Sequence, residues 1–219
     1  MTRGVRIEPC AKRIRVVLAG EVVVDTTRAQ LVWVDRPYPT YYLPVADARI
    51  DVLETNAPGA VHRHAEVPDH VSLTWAAMDH WFEEDEEVYV HARSPYARVD
   101  VLPSSRTVRV DVDGVTVAAS QHPTLLFETG LPTRYYFPKT DVRLDLLVAT
   151  DKATACPYKG TARYWSVRAG DTLHPDLAWA YDFPLPESIR IAGLISFYNE
   201  RVDLIVDGEL QERPRTSFS

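Results

Sequence analysis

Apolar and polar residues alternate over many short segments of the chain, which is the period-2 pattern of β-strands. The clearest example, VRVDVDGVTVAAS (108–120), alternates on both sides of Asp113-Gly114. An Asp-Gly pair in this setting indicates a hairpin, because glycine accepts the positive φ of a tight turn. Further segments rich in Val, Ile, Leu and aromatic residues lie at 124–129, 142–149, 161–167, 188–198 and 201–208. We therefore predict a mainly β fold.

Little helix is expected. The segment SLTWAAMDHWFEE (72–84) has apolar residues at Leu73, Ala76, Ala77 and Trp81, a spacing that permits one short helix. The 16 prolines of the chain disfavour long helices and suit strand ends and loops.

The chain contains an internal repeat. Residues 14–53 align without a gap with residues 108–147, at an offset of 94, and twelve of the forty positions are identical. Composition alone would give about two or three identities. The pairs Gly20/Gly114, Tyr41/Tyr135 and Tyr42/Tyr136 are among them. We interpret the chain as a tandem duplication.

The repeat also predicts the domain organisation. RVDVL (98–102) resembles RVDLI (201–205), so each repeat would close with a similar strand. This places a degenerate first repeat at 1–103 and a second repeat at 104–219. Because few residues separate the flanking strands, we expect no flexible linker but two similar domains related by pseudo-symmetry.

Charge and composition limit the partners. The net charge is -7 and the pI is near 5.5, which argues against nucleic acid, whose binding depends on Lys and Arg. Five acidic residues fall at 83–87, and we interpret them as a solvated loop or helix end. No apolar run suggests a signal peptide or a membrane span, so we expect a cytoplasmic protein that is a monomer or a homodimer.

Metal and cofactor binding are not expected. Cys10 and Cys156 are too few for a disulfide framework or a thiolate zinc site, so both thiols should be reduced. His62 and His64 share one face of a strand and could hold a metal. His70 and His80 lie nearby in the sequence, but nothing requires either of them to be the third ligand. We predict no metal and no cofactor.

Several segments carry a resemblance to a known family. These segments are LFETGLPTRYYFPKTDVRLDLL (126–147), CPYKGTARYW (156–165), AWAYDFPLPE (178–187), IAGLISFYNERVDL (191–204) and VDGE (206–209). In this order and spacing they resemble the family called domain of unknown function 427, here as a tandem pair. The resemblance implies small mainly β domains of the β-tent type, whose relatives include zinc-binding and methionine sulfoxide reductase domains. It implies no reaction, and the paired CxxC motifs of those relatives are absent.

The two repeats differ at the segment with the densest chemistry. CPYKGTARYWSV (156–167) stands where the first repeat has EVPDHVSLTWAA (66–77), if Trp75 is aligned with Trp165. The polar cluster is then missing from the first repeat. We therefore place the candidate site in the second repeat.

Each residue of the cluster has a functional and a structural interpretation. Cys156 is a candidate nucleophile, activated by Lys159, or an inert packing residue. Lys159 could bind a carboxylate or phosphate, act as a general base, or form an ion pair with Asp141 or Asp145. Tyr158, like Tyr164 and Trp165, could line a pocket or belong to the core.

Other loops of the second repeat add candidates. His174 is the natural acid or base, because histidine titrates near neutral pH. The catalytic candidates are Lys159, Tyr158, Cys156 and His174. The predicted ligand-binding residues are Tyr136, Asp145, Tyr158, Lys159, Tyr164, Trp165, Trp179 and Tyr181.

Three functions remain open from the sequence. The favoured one is binding of a small metabolite against Lys159 and the aromatic residues. The second is an enzyme that uses Lys159 with Tyr158 or Cys156 in acid-base or nucleophilic chemistry. The third is a structural or protein-interaction module. A pocket at Lys159 would favour the first two, and a filled core with a flat apolar surface would favour the third.

Overall fold

A computed structural model describes residues 4–34 and 36–219. The chain divides into two compact units, Met1–Ser94 and Pro95–Ser219. In the described residues each unit contains two antiparallel sheets, a larger and a smaller one. The prediction of a mainly β protein is confirmed. No helix in the described part of the chain is both long and apolar enough to cross a membrane.

The first unit builds its larger sheet in the order β1-β4-β5-β7-β6 and its smaller sheet in the order β3-β2-β8-β9. Its α-helix, Ile50–Asn56, buries Leu53. The elements are β1 (Arg6–Pro9), β2 (Ile14–Leu18), β3 (Glu21–Thr26), β4 (Gln30–Trp33), β5 (Thr40–Pro44), a 3-10 turn (Val45–Asp47), α1 (Ile50–Asn56), β6 (Val61–His62), β7 (His70–Leu73), a 3-10 turn (Trp75–Ala77), β8 (His80–Glu83) and β9 (Glu86–Glu87).

The prediction of a short helix within 72–84 is wrong. This segment forms the end of β7, a 3-10 turn and β8, and β8 buries Trp81 and Glu83 in the alternating manner of a strand. The acidic stretch 83–87 is likewise neither a loop nor a helix end. It is a hairpin, in which Glu83 of β8 pairs with Glu86 of β9.

The second unit has a larger sheet of seven strands in the order β10-β13-β14-β18-β17-β16-β15 and a smaller sheet in the order β12-β11-β19-β20. The predicted hairpin at Asp113-Gly114 is present, with φ of 48° and 76°. The elements are β10 (Val99–Pro103), β11 (Val108–Val112), β12 (Val115–Ser120), β13 (Thr124–Glu128), β14 (Arg134–Phe137), 3-10 turns (Lys139–Asp141 and Leu144–Leu146), β15 (Leu147–Cys156), β16 (Gly160–Ala169), β17 (Thr172–Tyr181), a 3-10 turn (Pro186–Ile191), β18 (Ile195–Phe197), β19 (Asp203–Val206) and β20 (Glu209–Leu210).

The boundary between the units lies earlier than the predicted 103/104 junction. Strand β10 does not close the first repeat, because it pairs with β13 of the second unit, Val101 opposite Leu126. Its counterpart in the first unit is β1, which pairs with β4 in the same way. The strand that corresponds to β19 is β8, since β8 pairs with β2 as β19 pairs with β11. The second unit therefore begins at Pro95.

Each unit has a main core that joins side chains of both its sheets. In the first unit this core includes Ile14 and Leu43, and in the second it includes Val108 and Phe137. The opposite face of the larger sheet carries a separate cluster in each unit. Because neighbouring residues on a strand point to opposite faces, Tyr136 belongs to this second cluster.

The units differ most between two equivalent strand pairs. β5 pairs with β7 (Leu43 opposite Val71) as β14 pairs with β18 (Phe137 opposite Ile195). Residues 45–69 connect the first pair, whereas residues 138–194 connect the second and form β15, β16 and β17 on the way. Trp75 follows β7 and Trp165 lies in β16, so their alignment is wrong.

Candidate functional site

The CPYKG segment is a β-hairpin loop between β15 and β16. Cys156 pairs with Gly160, leaving Pro157–Lys159 as the loop. Gly160 has a φ of +91°, and a Cβ atom there would lie 3.3 Å from the carbonyl oxygen of Phe183. Glycine adopts such a positive φ without strain, and the close backbone gives a second reason for glycine at this position.

Hydrogen bonds fix the loop to the segment that follows β17. The backbone N–H of Leu185 donates to the carbonyl oxygen of Lys159 at 3.2 Å. The hydroxyl of Ser188 donates to the carbonyl oxygen of Tyr158, also at 3.2 Å. These contacts hold Lys159 in a buried position.

The partner of Lys159 is Glu128, at the end of β13. The ammonium donates to Oε2 of Glu128, and the two side chains are 11% and 12% exposed. The prediction that Lys159 forms an ion pair with Asp141 or Asp145 is therefore wrong. Asp145 accepts from Arg143 at the surface, and this hydrogen bond holds the pKa of Asp145 below its usual value. The structure does not bring Asp145 to the loop.

A cavity of about 290 Å³ borders Glu128. Its lining combines both charges with apolar surface and hydroxyl groups. The residues are Arg98, Asp100, Phe127, Glu128, Thr129, Leu131 and Thr133.

Four of the predicted aromatic residues meet in one buried cluster on the outer face of the larger sheet. Tyr136, Tyr164, Trp179 and Tyr181 pack there with Leu126 and Ile191. The indole N–H of Trp179 donates to the hydroxyl of Tyr136 at 3.2 Å. Trp165 points to the opposite face, as its odd position in β16 requires, and lies under the guanidinium of Arg163. Trp165 is therefore separated from the cluster.

The pKa values of two tyrosines in this cluster are raised. Burial raises the pKa of both Tyr136 and Tyr181, and the nearby groups of Glu128 and Cys156 raise it further. Both phenols therefore keep their protons at neutral pH.

The other catalytic candidates are distributed differently. Cys156 is a half-buried free thiol at the end of β15, and Tyr158 is half-buried in the loop. His174 lies opposite Val167, at the far end of β16 from Gly160. Its Nε2 is 2.9 Å from Oδ2 of Asp113. The structure does not bring His174 to Lys159.

A buried ion pair between Arg134 and Glu200 lies beside the aromatic cluster and was not predicted from the sequence. Arg134 donates to both oxygens of Glu200, at 2.6 and 2.7 Å. The guanidinium carbon of Arg134 lies 5.6 Å from the ring centre of Trp179 and 5.7 Å from that of Phe218. Both charged residues fall within the segments that resemble the known family, but their distance in sequence gave no reason to pair them.

The same sheet face is built differently in the first unit. His62 of β6 lies opposite Ser72 of β7, as Trp179 of β17 lies opposite Ser196 of β18. His62 therefore occupies the position of Trp179. Counted two residues beyond this pair, His64 corresponds in position to Tyr181 and Thr74 to Tyr198, although His64, Thr74 and Tyr198 follow the ends of β6, β7 and β18.

These smaller side chains border a cavity of about 530 Å³. Tyr42, His62, His64, Ser72, Thr74 and Trp75 are among its lining residues. This cavity was not predicted from the sequence. The alignment of Trp75 with Trp165 does not bring β6 into correspondence with β17.

The histidines near His62 do not form the metal group considered from the sequence. His70 lines another cavity with Arg28 and Arg63, and Nδ1 of His80 lies 2.6 Å from Glu87. Among residues 4–34 and 36–219, no three His, Cys, Asp or Glu side chains are placed to hold a metal ion.

Comparison with known proteins agrees with this architecture. The fold defines a mainly β protein of two units, each with a larger and a smaller antiparallel sheet. A family model described as domain of unknown function DUF427 matches residues 6–62 and 100–208. The two matched segments lie one in each unit and together exceed half of the chain, so the chain belongs to this family. A search of curated proteins finds no match.

Proposed function

We propose that this chain is a small-molecule-binding protein and that its second unit holds a polar organic ligand at the Lys159–Glu128 pair. The observation that carries the proposal is unused hydrogen-bonding capacity at a nearly buried position. Such groups are normally satisfied in native proteins by protein, water or a ligand.

The capacity can be counted atom by atom. An ammonium has three donors, and within the described residues Lys159 meets one acceptor, Oε2 of Glu128. No donor to the other oxygen of Glu128 is found there. The pair can therefore serve a ligand group that offers an acceptor to Lys159 and a donor to Glu128, as an amide or an α-hydroxy carbonyl does.

The surroundings support binding more than catalysis. Glu128 lines the 290 Å³ cavity, which supplies space next to the pair. His174, the imidazole considered as an acid or base, is hydrogen-bonded at the other end of β16. A general base must lie within hydrogen-bonding reach of the reacting group, directly or through one water.

Native mass spectrometry of protein purified from its own cell extract tests the proposal. We expect a retained small molecule, and Lys159→Met should weaken its binding at least about tenfold, because hydrogen bonds to a charged group contribute about 1.5–3 kcal/mol. Glu128→Gln keeps the shape of the pair and should also weaken binding.

Arg143→Met is the matched control, because it removes a cation from an exposed pair with Asp145. It should leave retention unchanged. Equal retention by the wild type and by both site variants would contradict the proposal.

A further inference from the structure

We propose that the 530 Å³ cavity of the first unit is a second, separate binding site, and that its ligand is a planar aromatic carboxylate. We call it the histidine cavity, after His62, His64 and His91 in its lining. The inference does not depend on the Lys159–Glu128 site.

The cavity results from specific side-chain replacements. In the second unit Trp179 and Tyr181 fill the outer face of the larger sheet and are 6% and 5% exposed. Register places His62 at the position of Trp179, and His64, just after the end of β6, follows His62 by two residues as Tyr181 follows Trp179. Since protein interiors are otherwise packed with few voids, a smaller pair of side chains at this point leaves room for a ligand.

The walls suit a flat ring. Tyr38, Tyr42 and Trp75 provide aromatic surface, and Leu73 and Val90 provide aliphatic surface. Tyr38 stacks on His91 with ring centres 3.9 Å apart, so this part of the wall is planar. A volume of this size and an aromatic lining with a few polar groups are typical of small-molecule pockets.

The polar lining selects the sign of the ligand charge. Arg36 is a lining residue and always carries a positive charge. No carboxylate lines the cavity among residues 4–34 and 36–219. A ligand anion is therefore favoured over a cation.

The tautomer of one lining imidazole makes it a potential donor to such an anion. The backbone N–H of Glu66 donates to Nδ1 of His64 at 3.3 Å, so the proton of a neutral His64 ring is on Nε2. His62 is fixed differently, with Nε2 2.8 Å from the hydroxyl of Thr74. His64 Nε2 and the Arg36 guanidinium can thus share the carboxylate, while the rings hold the aromatic part.

Three probes with one ring system test the charge preference. Indole-3-acetate, 3-methylindole and tryptamine share the indole and differ in charge, and their affinities can be measured by ligand-observed NMR on the full chain. We expect indole-3-acetate to bind with a Kd of about 1 mM or tighter, as its size allows. Tryptamine should bind at least tenfold more weakly. Equal affinity of tryptamine, or no binding of any probe to the folded protein, would overturn the proposal.

Variants locate the probe. His62→Trp introduces the residue of the second unit and should reduce indole-3-acetate binding at least tenfold. Arg63→Trp adds the same side chain at the next residue, which is not part of the cavity lining, and should not. If His62→Trp does not fold, Thr74→Tyr fills the cavity from the residue after β7 and should have the same effect. Arg36→Gln should weaken indole-3-acetate but not 3-methylindole.

Lys159→Met separates this site from the one proposed above. Indole-3-acetate affinity should be unchanged in that variant, whereas a loss would place the probe in the second unit and refute the histidine cavity as its site. Unchanged binding by both cavity-filling variants would refute it as well.

Discussion

Two glutamates of the second unit, Glu128 and Glu200, each form an ion pair with a nearly buried cation. They differ in how many of their oxygens accept a hydrogen bond. Both oxygens of Glu200 accept from Arg134, and Oε1 also accepts from Thr216 at 2.6 Å. Glu128 accepts from Lys159 through one oxygen. We therefore assign a structural role to the satisfied pair, whereas the Lys159–Glu128 pair is the one at which we propose a ligand.

Glu200→Gln should destabilise the second unit by about 3 kcal/mol or more, because removal of one partner leaves a buried charge uncompensated. The Glu200 side chain is 0% exposed and that of Arg134 is 6% exposed. Urea unfolding followed by Trp fluorescence measures the change. Asp145→Asn breaks the exposed pair with Arg143 and should leave the unfolding midpoint where it is. Equal midpoints for Glu200→Gln and the wild type would contradict the structural role.

The same variant should change the response to acid. Burial opposes ionisation of Glu200, but the hydrogen bonds from Arg134 and Thr216 outweigh it and hold the pKa below its usual value. A lowered pKa in the folded state stabilises the fold above the unfolded-state pKa of about 4.3, and this contribution is lost as the pH falls through the folded-state pKa. The wild type should therefore lose more stability below about pH 4.3 than Glu200→Gln does.

For individual residues, the sequence predicted which aromatic side chains form the cluster but not which charged side chains pair. Motif position singled out Tyr136, Tyr164, Trp179 and Tyr181, which the structure brings together, but also Trp165, which lies on the opposite face of the sheet. The partner of Lys159 was predicted wrongly, because Asp141 and Asp145 were the two carboxylates considered and Glu128 was not. The choice of Glu128 depends on β13 ending beside the β15–β16 loop, which only the three-dimensional pairing determines.

Hairpin turns recur as elements in both units, with different residues at the first turn position. Ala19, Asp113 and Asp207 all have positive φ, near 50°, and each precedes a glycine. Asp and Asn tolerate this left-handed conformation better than alanine does. The turn between β2 and β3 therefore carries strain that its counterpart between β11 and β12 avoids.

Ala19→Asn should stabilise the first unit by up to about 1 kcal/mol, because it relieves that strain at an exposed turn. The rise in melting temperature should be absent for Ala11→Asn, which makes the same exchange at an exposed position without positive φ. A lower melting temperature for Ala19→Asn than for the wild type would contradict this view of the turn.

The elements that sequence comparison missed lie where the two units stop being equivalent. The gap-free alignment ends at residues 53 and 147, and β15 begins at Leu147. Beyond that point a fixed offset cannot match the units, because the second contains β15 and β16 in addition. The equivalence of β6 with β17 rests on strand register, and two-residue β6 is too short to show a pattern in sequence.

For the molecule as a whole, the position of β10 decides where an independent second unit begins. Its sequence resembles β19, which favoured a boundary at residue 103, yet similar alternation is expected of any half-buried strand. Pairing distinguishes the two strands. β10 covers the edge of β13 and buries Val101 against Leu126, and Arg190 donates to the carbonyl oxygen of Val101 at 3.3 Å.

A fragment of residues 95–219 should therefore fold alone, whereas a fragment of residues 104–219 should be less stable by about 2 kcal/mol or more, because it loses the burial of Val101 and the strand pairing of β10. Urea titrations of both fragments, followed by Trp fluorescence, compare their free energies of unfolding. Val101→Ala in the longer fragment is the intermediate case, since it keeps the backbone pairing and removes most of the buried side chain. We expect its stability to fall between those of the two fragments. If the shorter fragment unfolds at the same urea concentration as the longer one, β10 is not part of the second unit's stable fold and the boundary belongs at residue 103 after all.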